Sequence, residues 1–214
     1  PDEVESTLKE YFQVSFNRED KVFSEDILIK AMENADGILC TVTDNITDEL
    51  LSLKNKKVKI IANIGVGVDH IDLKSAKKNN VIITNTPDVL TEATVDVATL
   101  LLLSVTRNAF LVEKMLRQGK WKGFSLTENL GVDVRGKILG IVGMGRIGKA
   151  FAKRAHEAFG MKVLYYNRSP VKGLTFEASV RFDLDALLEE SDVISLHLSS
   201  DEGNKNFISK SRMK

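Results

Sequence analysis

The chain has 214 residues, 30 Lys plus Arg against 30 Asp plus Glu, and 43% hydrophobic content, which suits a globular protein of one large domain or two small ones. Zero net charge gives no electrostatic reason to expect nucleic acid or an anionic membrane surface as a partner. The longest apolar run, Ala98 to Val105, is interrupted by Thr99 and Ser104 and is too short to span a bilayer.

Pro1 to Val4 reads as a helix start, with Pro at an early position, acids in the first turn, and Val4, Leu8 and Tyr11 or Phe12 on one face. A second helix follows the N-cap Ser24 and carries Ile27, Leu28 and Ala31. Strands are predicted at 37–42, 58–63 and 81–84, with short helices at 47–51 and 73–78 between them, and the loop Gly65-Val66-Gly67-Val68-Asp69 follows the second strand. Strands alternating with helices argue for a parallel sheet covered on both faces. Cys40 lies in the first strand; as the single cysteine it cannot form an internal disulfide. With no visible signal peptide, a reduced, cytoplasmic setting is expected, and the sequon Asn45-Ile46-Thr47 reads as chance.

Asn85-Thr86-Pro87-Asp88 opens a crossover, and Thr91 is predicted to cap a long helix over 92–117. The apolar residues of that helix exceed one stripe, so it is expected either between two domains or in a subunit interface. Trp121 follows in a loop. A strand at 138–142, a helix, a strand at 162–167, a short strand near 180–182, a helix at 184–191, a strand at 193–198 and a helix from Ser209 complete the pattern. The expected boundary divides residues 1–91 from residues 92–214. The first segment opens on a helix where a strand is usual, and the second carries little more than one of the two halves of a dinucleotide-binding fold. Both domains are therefore expected to be incomplete, the chain being truncated at both ends.

The most informative segment is Ile138 to Ala152, an apolar strand, the turn Gly143-Met144-Gly145-Arg146-Ile147-Gly148 and the start of a helix. Gly143 permits the tight turn, Gly145 lets backbone approach a pyrophosphate, and Gly148 lets the helix pack on the strand. The N–H groups of the helix start, with Arg146 and Ile147 in its first turn, would bind the phosphates. The bland alternative is a glycine-rich turn in another α/β protein, but the strand–turn–helix–strand context favours the nucleotide reading. About twenty residues beyond the motif, where NAD requires an acid on the ribose 2′-hydroxyl, stand Asn167, Arg168 and Ser169. Hydrogen-bond donors and one cation suit a 2′-phosphate, so the expected cofactor is NADP, with NAD the alternative. Arg168 read blandly is a solvated surface charge.

The segments 63–72, 85–96, 142–148 and 191–197 occur together in the order seen in the D-2-hydroxyacid dehydrogenase family, which the chain resembles over essentially its whole length. The details Gly131-Val132-Asp133-Val134-Arg135-Gly136-Lys137 and Asn167-Arg168-Ser169 look most like its glyoxylate/hydroxypyruvate reductase branch. The resemblance implies two Rossmann-like parallel-sheet domains, a flavodoxin-like substrate domain and a dinucleotide-binding domain, with the active site in a cleft between them. It implies that the backbone at Val66 and Gly67 holds the substrate carboxylate; the plainer alternative is that Gly65 and Gly67 serve only a turn needing positive φ. Thr94, with Asp96, would face the nicotinamide ribose; helix capping and polar packing is the plain alternative.

The family's catalytic Arg, Glu and His would all lie beyond Lys214. No catalytic residue is therefore expected among these 214 residues, which by themselves should be inactive. His70 could sit near the cleft, His156 reads as a surface or packed residue and His197 as structural, none of them as the proton donor, and no Cys/His metal cluster is present. The implied activity is hydride transfer between NADPH and a small 2-keto acid such as glyoxylate or hydroxypyruvate, in a homodimer built around the long helix, with Trp121 either reaching the partner's cleft or anchoring the loop on its own subunit. The alternatives are an NAD-dependent phosphoglycerate or D-lactate dehydrogenase, or a non-catalytic nucleotide sensor on the same fold.

Overall fold

A computed structural model describes residues 2–19, 21–199, 202–204 and 206–213. The chain forms two compact units, Pro1–Asn85 and Thr86–Lys214. The division falls between Asn85 and Thr86, so Thr86 to Thr91 join the second unit and not the first. The break coincides with the crossover after the last strand of the first sheet, not with the helix start.

The first unit runs α1 (Asp2–Tyr11), α2 (Glu25–Asn34), β1 (Gly37–Thr41), α3 (Asp48–Leu51), β2 (Ile60–Ile64), α4 (Leu73–Lys78) and β3 (Ile82–Thr84). Pro1, predicted to open α1, lies outside the described residues. The strands form a parallel sheet in the order β1-β2-β3, with Ile38 beside Ile61 and Ile61 beside Ile83. Alternate residues therefore share a face. On one face Cys40 and Ile61 pack with Leu28 and Met32 of α2, Leu50 and Leu51 of α3, and Ala76 of α4. On the other, Leu39, Ile60, Ile64 and Ile82 are exposed. The expectation of a sheet covered on both faces is corrected here: among the described residues of this unit, α2, α3 and α4 all pack on one side. α1 buries no residue.

The second unit begins with α5 (Thr91–Thr106) and α6 (Ala109–Arg117), followed by β4 (Ile138–Val142), α7 (Arg146–Phe159), β5 (Lys162–Tyr166), β6 (Ser179–Arg181), α8 (Leu184–Glu190) and β7 (Val193–Leu196). The single helix predicted over 92–117 is two helices bent by 71°. Asn108 between them adopts left-handed backbone at φ 53°, which Asn tolerates better than most residues. Its side chain donates to Leu130 O at 2.9 Å, while Thr106 O accepts from Val132 N at 2.6 Å. The 130–132 segment thus crosses the end of α5 and takes the carbonyl that would continue the helix. Leu90, not Thr91, occupies the N-cap position, and its side chain makes no cap hydrogen bond. No single helix among the described residues is long and apolar enough to cross a membrane.

The second sheet is parallel in the order β6-β5-β4-β7, the arrangement of the first four strands of a doubly wound dinucleotide fold. Helices cover both faces. Val95 and Leu102 of α5 and Phe151, Ala152 and Ala155 of α7 pack on Leu139 and Ile141, while Leu184 and Leu187 of α8 pack on Val142 and Leu164. Arg154 of α7 links to Glu92 at 2.7 Å and to Asp96, fastening α5 to α7. At the other end of β4, Asp192 accepts from Ile138 N at 2.8 Å and Lys137 Nζ at 3.0 Å, which holds its carboxyl below the usual range. The helix predicted from Ser209 is a turn, closed by Arg212 N donating to Ser209 O, and Lys214 lies outside the described residues.

Candidate functional site

In the second unit, β4 and β7 are neighbours, and the strand order reverses between them. In open α/β sheets such a reversal creates the crevice where ligands bind. The turn after β4 sits there. Gly143 has φ +94°, and its N–H donates to Tyr166 O at 3.0 Å, tying the turn to the end of β5. A Cβ on Gly143 would press into the carbonyl of His197, and one on Gly148 into the carbonyl oxygen of Gly143. Both glycines are required by close backbone packing. Gly145 differs: a Cβ there would meet no protein atom within 4 Å. The space before it is open, as backbone facing a pyrophosphate needs.

Gly145 is also the N-cap of α7, and its carbonyl accepts from Lys149 N at 2.9 Å. The N–H groups of Arg146, Ile147 and Gly148, being the first of the helix, have no intrahelical acceptor. Such groups, together with the positive end of the helix dipole, favour an anion. The side chain of Ile147 packs against the core, so Ile147 can serve a phosphate only through its backbone. Arg146 pairs with Asp88 at 2.7 Å.

Tyr166 leads directly to Asn167, Arg168 and Ser169, the residues expected near a cofactor ribose. Asn167 Nδ2 donates to Ser169 O at 2.9 Å, which shapes the turn, while Arg168 and Ser169 are exposed. Among the described residues Arg168 makes no ion pair. Thr94 Oγ1 donates to Leu90 O at 2.8 Å within its own helix, and Asp96 is engaged by Arg154. Both side chains thus have structural partners.

The first unit presents the other candidate element, the loop after β2. Asn63, at the inward-facing position of β2 and only 2% exposed, sends its side chain beneath the loop. Its Nδ2 donates to Gly67 O at 2.8 Å and to Gly65 O at 3.3 Å. Its Oδ1 receives His70 Nε2 at 3.1 Å and the Cys40 thiol at 3.8 Å. Asn85 Nδ2 donates to Val66 O at 2.9 Å. Sequence reasoning did not single out Asn63 or Asn85; the signal was available in an Asn that interrupts an apolar strand just before a Gly-x-Gly. Val66 and Gly67, expected to present N–H groups to a carboxylate, do carry N–H groups with no protein acceptor among the described residues.

The three histidines have structural surroundings. His70 joins Asn63, and His156 Nδ1 lies 3.0 Å from Met161 O. His197 Nε2 lies 3.0 Å from Ser195 Oγ with its ring against Phe151, and burial pushes its pKa below the ordinary histidine value.

Residues 99–214 match the family model for the D-isomer specific 2-hydroxyacid dehydrogenase, NAD binding domain. The glyoxylate reductase of Thermococcus litoralis is 38% identical over 212 residues, covering 97% of this chain and 63% of that protein. The chain thus spans less than two thirds of that relative's length. Among solved structures, a putative D-isomer specific 2-hydroxyacid dehydrogenase from Polaromonas sp. superposes with a TM-score of 0.88 at 34% identity, covering 99% of this chain and 66% of that one. An acyclic imino acid reductase in complex with NADPH and D-Arg gives a TM-score of 0.85 at 26% identity, covering 100% and 66%. With topology, phosphate turn and family model in agreement, this chain belongs to the D-isomer specific 2-hydroxyacid dehydrogenase family.

Proposed function

We propose that the protein containing this chain is an oxidoreductase that reduces a small 2-keto acid of the glyoxylate or hydroxypyruvate type with NADPH. The second unit serves as the dinucleotide-binding domain, and the first contributes to the substrate domain. The observation that carries this reading is the turn at Gly143 to Gly148, where close packing excludes a side chain at both ends and leaves open space at Gly145. Bound NADPH would supply the hydride. The chain's own residues hold and orient. The backbone of the first turn of α7 takes the pyrophosphate, and Asn167, Arg168 and Ser169 take the 2′-phosphate. In the first unit, the N–H groups of Val66 and Gly67 take the substrate carboxylate, as consecutive backbone amides do for other anions. Similarity to glyoxylate reductases supports the substrate class.

The exposed stripe Val97, Leu101 and Val105 on α5, with Phe110 on α6, supports a homodimer, because solvent-facing apolar surface of this extent usually marks an interface. Val97, Leu101 and Val105 lie on a different stripe of α5 from the buried Val95 and Leu102.

The reading is tested by following NADPH oxidation by the full-length protein with glyoxylate and with hydroxypyruvate. Turnover with at least one of them, faster with NADPH than with NADH, is expected. No turnover of either acid with either cofactor would overturn it.

A further inference from the structure

We infer that Asn63, together with Asn85, is a positioning residue that aims the anion-binding N–H groups of the loop at Val66 and Gly67. The inference rests on the proposed role of that loop as the carboxylate site.

Across a trans peptide, the carbonyl of one residue and the N–H of the next point in opposite directions, and no cis peptide occurs among the described residues. Asn63 Nδ2 holds the carbonyls of Gly65 and Gly67, so the N–H groups of Val66 and Val68 face away from Asn63. Asn85 holds the carbonyl of Val66, which turns the N–H of Gly67 away from Asn85. Three successive peptide units are thus oriented by two side-chain amides. None of the three N–H groups has a protein acceptor among the described residues.

The orientation of the Asn63 amide is itself determined. Two carbonyl oxygens can only accept, so the NH2 end must face them and Oδ1 must face His70. His70 then carries its proton on Nε2. The Cys40 thiol adds a weak second donor to Oδ1. All the hydrogen-bonding capacity of this buried amide is therefore in use, the condition under which a buried polar group fixes one geometry. Serine cannot span two carbonyls, and aspartate would set oxygen against oxygen.

The test uses full-length, 15N-labelled protein and oxalate, a carboxylate probe that requires no turnover. In the wild type, the amide signals of Val66, Gly67 and Val68 should shift on titration. Asn63→Ala should weaken oxalate binding about tenfold, the loss that one hydrogen bond's worth of positioning produces. It should raise KM for glyoxylate to a similar degree, with kcat and NADPH affinity nearly unchanged. Asn85→Ala, at an exposed position, should act in the same direction. If the wild-type loop amides ignore oxalate, the carboxylate reading of the loop falls, and this inference with it. If they respond and a folded Asn63→Ala binds oxalate as the wild type does, only the role of Asn63 falls. Should Asn63→Ala not fold, Asn85→Ala decides, and unaltered oxalate affinity there overturns the inference.

Discussion

A side chain on Gly148 would collide with the carbonyl oxygen of Gly143, so the start of α7 lies directly against the turn that precedes it. Gly148→Ala must separate helix from strand, and overpacking of this kind costs about 1–3 kcal/mol. Both thermal stability and NADPH affinity should fall. Gly145→Ala should separate the two effects. Its φ of −76° suits alanine and its Cβ would meet no protein atom. Stability should stay within about 0.5 kcal/mol of the wild type, while NADPH affinity drops because the methyl group occupies phosphate space. Calorimetry and cofactor fluorescence on both variants check the contrast; equal behaviour would contradict it.

The βαβ turn was legible in the sequence because Gly143 and Gly148 answer steric demands of the fold while Gly145 keeps the space before it open. The break between α5 and α6 was not. Apolar residues continue on both sides of the break, at Val105, Phe110 and Leu111, and only the left-handed Asn108 and the crossing of the 130–132 segment stop the helix. That crossing is a tertiary contact more than twenty positions away, beyond the reach of periodicity. The uncovered face of the first sheet was hidden for a similar reason. Alternation of strands with helices reads as a sheet covered on both faces, yet it does not say on which side each helix packs. Asn63 is harder to read, because its two donor contacts are to backbone carbonyls of the loop, and only its place in an apolar strand just before a Gly-x-Gly hints at the role.

Cys40 should be inert to thiol reagents in the native protein. It is 1% exposed, and burial with the nearby Asp44 charge pushes its pKa up to about 11. At pH 8 about a thousandth of the thiol is then ionised, and the thiolate is the reactive form. Labelling by iodoacetamide should track denaturation. Rapid labelling of the folded protein would contradict the packing beneath β1.

His197 predicts an acid-side loss of stability. Burial lowers its folded pKa below the ordinary 6.5, so the unfolded chain binds the proton more tightly. The contribution is fully present above about pH 6.5 and is lost as pH falls through the folded value. His197→Gln, which can keep a partner for Ser195, should lose less stability than the wild type between pH 7 and pH 5. Parallel melting-temperature profiles for the two proteins would contradict the assignment.

Assembly can be tested on the exposed stripe of α5. Leu101→Glu and Val105→Glu place charge on that face without touching the buried Val95 and Leu102. The full-length wild type should scatter light as a dimer at micromolar concentration and each variant as a monomer. A monomeric wild type would contradict the assembly.

The proposed preference for NADP would be set at the end of β5. Asn167, Arg168 and Ser169 stand where NAD requires an acid, and a carboxylate at Asn167 would repel a 2′-phosphate. The decisive measurement is fluorescence titration of the full-length protein and its Asn167→Asp variant with NADPH and with NADH. The account predicts tighter binding of NADPH by the wild type and an abolished or reversed preference in the variant. Equal affinity for the two cofactors, unchanged by the substitution, would contradict it.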